Sequence, residues 1–181
     1  LSPIFIMGLP RSGTTLTERI IVSGKNQIQS LGETDALDKV FFSEQIINNY
    51  ESDALHTKFI FDTKNVNALI EKLLEQYHEQ GLTKNNLVFI DKSISNFLYI
   101  DLIQKIFPKA KFVYCYRNPI ANVVGIFRSF LPNVFWSHSL DKIFDIMGIY
   151  YKKLDKIKNN KSTNLHIIEL EKLTENPEKI S

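Results

Sequence analysis

The segment from Gly8 to Thr15 reads GLPRSGTT and has the residue types and spacing of a loop that binds phosphate. Its glycines fit the pattern GxxxxGK[ST], except that Thr14 occupies the position of the lysine. Backbone N–H groups around Arg11 to Thr15, with the positive end of a following helix, would bind a phosphate or a sulfate group. In nucleoside triphosphatases the lysine contacts the phosphates and the next hydroxyl holds magnesium, so this loop favours an anion that needs no metal.

Charged side chains that follow predicted strands could act on the same anion. Arg117 has the planar five-donor head that grips a second anionic group, although a surface salt bridge is an equal alternative. Lys92 could stabilise charge that develops on a transferred group, or it could be a solvated loop cation. Glu33 follows Gly32 in a loop, where a carboxylate could accept a proton from an acceptor hydroxyl or amine.

The elements that must position these residues alternate along the chain. Apolar runs predict strands over residues 3–7, 27–31, 87–90, 111–116 and 165–170. Helical spacing of apolar residues predicts helices over residues 14–22, 35–48, 65–77, 97–107, 120–127 and 140–157. This alternation indicates an α/β fold with a parallel sheet and right-handed crossovers. Ligands bind at the carboxyl ends of such strands, so we expect Arg11, Glu33, Lys92 and Arg117 to line one crevice.

Composition indicates an ordinary globular domain. The chain has 181 residues, 44% of them hydrophobic, and a formal charge of +2, which predicts one domain without a field that would attract nucleic acid. No apolar run approaches the roughly 18 residues that a membrane span needs. The lone Cys115 lies in an apolar run, which indicates a buried thiol in a reduced compartment, and we expect a cytoplasmic protein.

Several other residues could do chemistry but fit structural roles better. No histidine spacing indicates metal ligation or a catalytic pair, so we expect structural roles for His56, His78, His138 and His166. Aromatic residues near the middle of the chain could line an apolar acceptor pocket, but core packing is the favoured interpretation for Phe130, Phe135 and Trp136.

Longer segments carry a resemblance to a known family. The runs PIFIMGLPRSGTTLTE, LGET, FIDKSISNFLYIDLIQKIFPKAKFVYCYRNP and ELEKLTENPE are similar to the sulfotransferase superfamily. Within it, the chain resembles tyrosylprotein sulfotransferases and the bacterial sulfotransferases that often follow tetratricopeptide repeats. The resemblance implies a P-loop-type three-layer sandwich with a central parallel sheet flanked by helices. It implies a single sulfotransferase domain over residues 1–181, trimmed at both ends and lacking the C-terminal cofactor-binding segment.

The resemblance also implies a reaction and a set of site residues. The family uses 3′-phosphoadenosine 5′-phosphosulfate (PAPS) and moves its sulfuryl group to a hydroxyl or amine without a metal. By resemblance, Lys92 stabilises the transferring group and Glu33 is the catalytic base, while Arg117 binds the 3′-phosphate. The resemblance implies that the 5′-phosphosulfate is held by Arg11, Ser12, Gly13, Thr14 and Thr15.

Two positions depart from the family pattern. The serine that usually joins the arginine at the 3′-phosphate falls on Gly125, and Ser129, one helical turn further on, is a candidate substitute. A tyrosine that often precedes the ExL segment is replaced by Leu170.

Alternatives and the acceptor remain open at this point. A P-loop kinase or nucleotide hydrolase is the main alternative, because the run 87–91 ends in Asp91, the usual magnesium-holding partner of a phosphate loop. A catalytically decayed nucleotide-binding module is the other. The acceptor would be a small molecule, carbohydrate or peptide, held by the stretches 35–62 and 129–139. Flanking tetratricopeptide repeats are the expected neighbours in a full-length protein.

Overall fold

The computed structural model describes residues 1–24, 28–44, 66–83, 88–132, 134–159 and 164–175. The strands are β1 (Ile4–Gly8), β2 (Gln29–Ser30), β3 (Phe89–Asp91), β4 (Lys111–Tyr116) and β5 (Leu165–Glu169). The α-helices are α1 (Thr14–Ser23), α2 (Ala36–Ser43), α3 (Val66–Glu79), α4 (Ile100–Ile106), α5 (Pro119–Phe127), α6 (Leu140–Asn159) and α7 (Leu170–Glu175). Short 3₁₀ helices cover Ile94–Tyr99 and Phe135–His138.

All strand pairs in the described residues are parallel, and the strand order is β2-β3-β1-β4-β5. The fold is therefore a three-layer α/β sandwich of the P-loop type, as the sequence predicts. Because β1 lies between β3 and β4, the loop that follows it emerges between the ends of those two strands. This order decides which side chains meet at the carboxyl edge of the sheet.

The two faces of the sheet carry different apolar clusters, because alternate strand residues point to opposite faces. Phe5 and Phe112 belong to the larger cluster, which the buried residues of α2, α3, α4, α5 and α6 complete. Ile6 and Cys115 belong to the smaller cluster, against which Ile21 of α1 packs. The sheet is thus covered by helices on both faces, which explains why its strands read as continuous apolar runs.

Several predicted boundaries are wrong. The segment predicted as a helix over 97–107 begins as a 3₁₀ helix at Ile94 and becomes α-helical only at Ile100. Within the 3₁₀ segment, Asn96 donates from its side chain to the buried Asp91 carboxylate, which ties the segment to the end of β3. The last strand ends at Glu169, and Leu170 already belongs to α7. Residues 27, 45–48, 65 and 87, at the ends of four predicted elements, lie outside the described residues.

Cys115 is buried in β4, as predicted. Burial raises the pKa of its thiol to about 11, although a hydrogen bond with Thr17 opposes the shift. The Cys115 Sγ lies 3.3 Å from Thr17 Oγ1 on α1. Among the described residues, no helix combines the length and hydropathy needed to cross a bilayer.

Candidate active site

The loop between β1 and α1 has a shape that glycine permits at two points. Gly13 has φ 97° and is the N-cap of α1, and Arg11 also adopts a left-handed conformation, with φ 66°. A Cβ atom on Gly8 would lie 2.6 Å from the carbonyl oxygen of Cys115 and 2.6 Å from Ser12 Oγ. The loop therefore turns tightly against β4, where a larger residue at position 8 would collide with backbone.

This loop leaves hydrogen-bond donors without partners. No side chain of the described residues caps the N-terminus of α1, and its first turn carries no acidic residue. The N–H groups of Thr14, Thr15 and Leu16 thus stand at the positive end of a helix that supplies them no internal acceptor. The Ser12 hydroxyl is also buried, and within the described residues it has no hydrogen-bond partner. Together these donors form a cradle for an anion.

Glu33 and Lys92 meet because β2 pairs with β3. The ladder continues past the strands, with Leu31 N donating to Ile90 O at 2.9 Å and Lys92 N donating to Gly32 O at 2.9 Å. The Lys92 ammonium consequently donates to Glu33 Oε1 at 3.0 Å. The Lys92 side chain is only 7% exposed, whereas that of Glu33 is 68% exposed.

Lys92 has further contacts on α1. Its Nζ lies 3.5 Å from Thr15 Oγ1 and 3.6 Å from Glu18 Oε2. The sequence pattern assigned no role to Glu18. Its position three residues after Thr15 was the available signal, because residues i and i+3 share one face of a helix.

Arg117 stands on the other side of the loop. Its Nη1 donates to the carbonyl oxygen of Arg11 at 2.9 Å, which ties the tip of β4 to the loop. Asn122 on α5 makes a second tie, donating from Nδ2 to the carbonyl oxygen of Pro10 at 2.7 Å. An added Cβ atom on Gly125 would lie 3.1 Å from Arg117 Nη1, so the glycine lets this guanidinium pack closely against α5. Asn122 is another residue that the sequence reasoning missed.

Two cavities adjoin the loop, one on each side. One measures about 190 Å³, and its lining includes Glu33, Lys92 and the hydrophobic residues Leu131 and Val134. The other measures about 270 Å³, and its lining includes Arg117, Gly13 and Leu170. Both cavities are lined by Arg11, Thr14 and Thr15. A ligand bound at the loop could thus reach the Glu33–Lys92 pair in one direction and Arg117 in the other.

Ser129 is the predicted site residue that stands apart. Its hydroxyl donates to the carbonyl oxygen of Gly125 at 2.7 Å, and it lines neither of these two cavities. A serine hydroxyl has a single proton to donate, so in this position Ser129 offers none to a phosphate. Its predicted role as a substitute for the missing serine stays a prediction.

Asp91 is buried beneath the cleft and is saturated with hydrogen bonds. Its carboxylate accepts from Tyr77 Oη at 2.8 Å, Thr34 Oγ1 at 3.0 Å and Asn96 Nδ2 at 2.7 Å. It also accepts from the backbone N–H of Ser93 at 3.1 Å. Burial raises the pKa of Asp91, and these hydrogen bonds oppose the shift. The carboxylate therefore holds neighbouring loops together, an arrangement unlike that of an aspartate turned toward a bound metal ion.

The aromatic residues near the cleft differ from expectation. Phe130 and Phe135 are each 84% exposed, so the prediction that they pack in the core is wrong, whereas Trp136 does pack against the core. The neighbours of these phenylalanines, Leu131 and Val134, line the cleft. Among the histidines, His78 contacts the carbonyl oxygen of Leu82 through Nδ1 at 2.7 Å, in keeping with a structural role.

The remaining histidines lie on different elements. His138 contacts the ring of Phe130, His166 lies on β5, and His56 lies outside the described residues. Within the described ranges, no group of histidine, cysteine and acidic side chains is arranged to hold a metal ion.

Comparison with known proteins identifies the family. Residues 3–180 match the profile of the sulfotransferase family. The chain belongs to the sulfotransferase family. A sulfotransferase from Alicyclobacillus acidocaldarius has a similar structure, with a TM-score of 0.57 and 15% identity over 99% of this chain and 77% of its own. The sulfotransferase domain from the curacin biosynthetic pathway gives a TM-score of 0.52 and 18% identity, covering 99% of this chain and 71% of its own.

A longer relative shares the sequence. An uncharacterized protein from Aquifex aeolicus (strain VF5) is 25% identical over 193 residues, which cover 98% of this chain. The chain spans 24% of the length of that curated relative.

The site has the donor groups that a sulfotransferase needs for an activated sulfate ester. The unpartnered Ser12 hydroxyl and the uncapped N-terminus of α1 fit an anionic group at the loop. The guanidinium of Arg117, which lines the second cavity beside the loop, fits a second anionic group there. The residues present therefore fit a sulfated nucleotide that carries two anionic groups.

Proposed function

We propose that this chain is a PAPS-dependent sulfotransferase that transfers a sulfuryl group to a hydroxyl or amine without a metal. The observation that carries the proposal is the meeting of an uncapped anion-binding loop with a buried lysine, Lys92, whose ammonium lies 3.0 Å from Glu33. Family membership supports the reaction class, and the paired cavities on either side of the loop support a donor with two anionic ends.

The loop residues bind the donor. The backbone N–H groups of Arg11, Ser12, Gly13, Thr14 and Thr15 hold the 5′-phosphosulfate, together with the side chains of this loop, and Arg117 holds the 3′-phosphate. When bound, PAPS supplies an activated sulfuryl group whose leaving group is the bisphosphate. The hydrogen bond from Arg117 to the carbonyl oxygen of Arg11 supports this assignment, because it holds Arg117 beside the loop that binds the 5′-phosphosulfate.

Glu33 and Lys92 have complementary catalytic roles. Glu33 accepts the proton that the acceptor hydroxyl or amine loses as its bond to sulfur forms, and its high exposure leaves it accessible to an incoming acceptor. Lys92 stabilises the negative charge that accumulates on the bridging oxygen as the bond to the leaving phosphate breaks. Its burial strengthens this interaction, because fewer water molecules screen the ammonium. Positioning and charge stabilisation thus supply most of the rate.

The surroundings of the loop favour this chemistry over that of a kinase. A P-loop kinase needs a lysine in the loop and an aspartate on the magnesium ion, whereas Thr14 replaces that lysine and the Asp91 carboxylate is engaged by Tyr77, Thr34, Ser93 and Asn96. The acceptor is a small molecule, carbohydrate or peptide. Leu131 and Val134, which line the cleft beside Glu33, would contact it.

Binding of the bisphosphate product tests the donor assignment. The full chain is titrated with adenosine 3′,5′-bisphosphate in the presence of EDTA, and its melting temperature is compared with that in adenosine 5′-diphosphate. We expect stabilisation by the 3′,5′-bisphosphate without metal, because a ligand selective for the folded state raises stability. Arg117→Ala should remove the preference for the 3′-phosphate. Stabilisation by magnesium-ATP in place of the bisphosphate would contradict the proposal.

Turnover of Lys92→Ala tests the catalytic assignment. Removing one preorganised group that stabilises developing charge costs about 100- to 1,000-fold in turnover, and we expect a loss of that size with bisphosphate affinity largely retained. Lys111→Ala is the matched control, because Lys111 is an exposed lysine at the opposite end of β4. Near-normal turnover of Lys92→Ala would refute the role of Lys92.

A further inference from the structure

We propose that Glu18 is a positioning residue that holds the Lys92 ammonium in place while Glu33 leaves it to accept a proton. This inference rests on the proposed function and adds a residue to it. Glu18 Oε2 lies 3.6 Å from Lys92 Nζ, and the Glu18 side chain is 14% exposed. The Glu18 carboxylate is therefore a second partner of the Lys92 ammonium, and it is more buried than the exposed Glu33.

The contacts of Lys92 come from different elements and fix its direction. Glu33 lies in the loop after β2, whereas Thr15 and Glu18 lie one helical turn apart on α1. A long lysine side chain has many rotamers, and contacts on separate elements restrict them. Because Thr15 also belongs to the anion-binding loop, the contacts on α1 keep the ammonium beside the place where the donor would bind.

Glu18 is itself anchored to the segment that carries Glu33. The Ser30 hydroxyl donates to Glu18 Oε1, and the same hydroxyl accepts from the backbone N–H of Gly32 at 3.2 Å. A chain of hydrogen bonds thus runs from the loop of Glu33 through Ser30 to Glu18 and on to Lys92. The carboxylate cannot rotate freely away from the ammonium, because its other oxygen is engaged.

The need for a second carboxylate follows from the roles of the pair. To accept a proton, Glu33 must turn from Lys92 toward the acceptor and then loses its negative charge. A buried ammonium without a partner is costly, so Lys92 would otherwise follow Glu33 and leave the bridging oxygen. Glu18 remains charged and in place through this step. It therefore lets Glu33 act as a base without displacing Lys92.

The substitution Glu18→Gln isolates the charge, because glutamine can still accept the hydrogen bond from Ser30. Loss of a group that orients a functional ligand costs about 10- to 100-fold in metal sites, and we expect a fall of similar size in kcat. The affinity for the bisphosphate and the melting temperature should stay unchanged. Glu18→Asp, which keeps the charge further from Lys92, should retain an intermediate kcat. Glu71→Gln, on an exposed position of α3, is the control.

A normal kcat for Glu18→Gln would overturn the proposal, and so would a fall in kcat that is matched by losses in bisphosphate affinity and melting temperature. Ser30→Ala provides a second variant, because it removes the anchor and leaves the charge. We expect a smaller fall in kcat for it, and an unchanged kcat would contradict the anchoring step.

Chemical labelling separates this proposal from the proposed function. With acetic anhydride at fixed pH, Lys92 should be acetylated several-fold faster in Glu18→Gln than in the wild type, because the ammonium loses a charge partner; Lys111 in the same sample is the reference. An unchanged relative rate would overturn the Glu18–Lys92 pairing. Absence of bisphosphate binding and sulfuryl transfer in the wild type would instead refute the proposed function, and the labelling result would still decide the pairing.

Discussion

Replacement of Asp91 tests whether its carboxylate holds the cleft together. Asp91→Ala would leave Tyr77, Thr34, Asn96 and the backbone N–H of Ser93 without their acceptor in a buried site. Each buried donor left unsatisfied costs about 1–3 kcal/mol, but the variant also removes the cost of burying a carboxylate. We therefore expect a net loss of about 3 kcal/mol in the free energy of unfolding, which is less than the sum over the four donors.

Asp91→Asn should cost less, at about 1 kcal/mol. Its amide oxygen can keep the bonds from Ser93 N and Asn96, while the hydroxyls of Tyr77 and Thr34 can rotate and accept from the amide nitrogen. Urea denaturation of the three proteins measures the difference. A free energy of unfolding for Asp91→Ala equal to that of the wild type would refute the assignment of Asp91 as a structural acceptor.

The pH dependence of the same measurement has a definite sign. Burial raises the pKa of Asp91 above its value in the unfolded chain, so between the two values the folded state binds more protons. The protonated Asp91 carboxyl contributes its full stabilisation at low pH. This stabilisation is lost as the pH rises through the pKa that Asp91 has in the folded protein. The free energy of the wild type relative to Asp91→Asn should therefore fall from about pH 4 upward and then level off. A rise over this range would contradict burial as the dominant cause.

Three further predictions follow from close contacts. Gly8→Ala should lose about 2 kcal/mol or more in the free energy of unfolding, measured by urea denaturation, because its Cβ would lie 2.6 Å from the carbonyl oxygen of Cys115. Gly125→Ala should bind adenosine 3′,5′-bisphosphate more weakly in calorimetric titration, because a Cβ 3.1 Å from Arg117 Nη1 would crowd the guanidinium; unchanged affinity would contradict this. The Cys115 thiol, with its pKa raised to about 11 by burial, should resist iodoacetamide at neutral pH until the protein unfolds, as mass spectrometry would show; rapid alkylation of the folded protein would contradict this.

The sequence predicted the meeting of Glu33 with Lys92 for a sound physical reason. Both follow strands, and parallel strands present their carboxyl ends at one edge of the sheet. The sequence could not supply the strand order, which makes β2 the direct neighbour of β3 and lets the ladder run on to Lys92 and Gly32. Pairing between strands that are distant in sequence depends on packing over the whole sheet, and no local pattern encodes it.

Asp91 and Phe130 show where residue type alone misleads. The position of Asp91 after an apolar run is typical of a magnesium ligand. In the structure, however, Tyr77 of α3 donates a hydrogen bond to its carboxylate, and the apolar run itself does not reveal that contact. Phe130 is apolar and by type fits the core, yet the residue is 84% exposed, whereas the adjacent Leu131 lines the cleft. In both cases burial, which follows from the tertiary arrangement, decides the role.

Gly125 links the family pattern to the geometry of this chain. The resemblance treats it as a lost serine, a position from which a hydroxyl would contact the 3′-phosphate. The structure adds that the glycine admits the Arg117 guanidinium to a space where a Cβ would lie 3.1 Å from Nη1 and 3.3 Å from the Cβ of Arg11. The chain thus lacks the serine hydroxyl but packs the Arg117 guanidinium closer to the loop. A hydrogen bond from this charged group to a phosphate is about twice as strong as one from a neutral donor. An intact anion site is therefore compatible with glycine at this position, provided that Arg117 keeps its bond to Arg11.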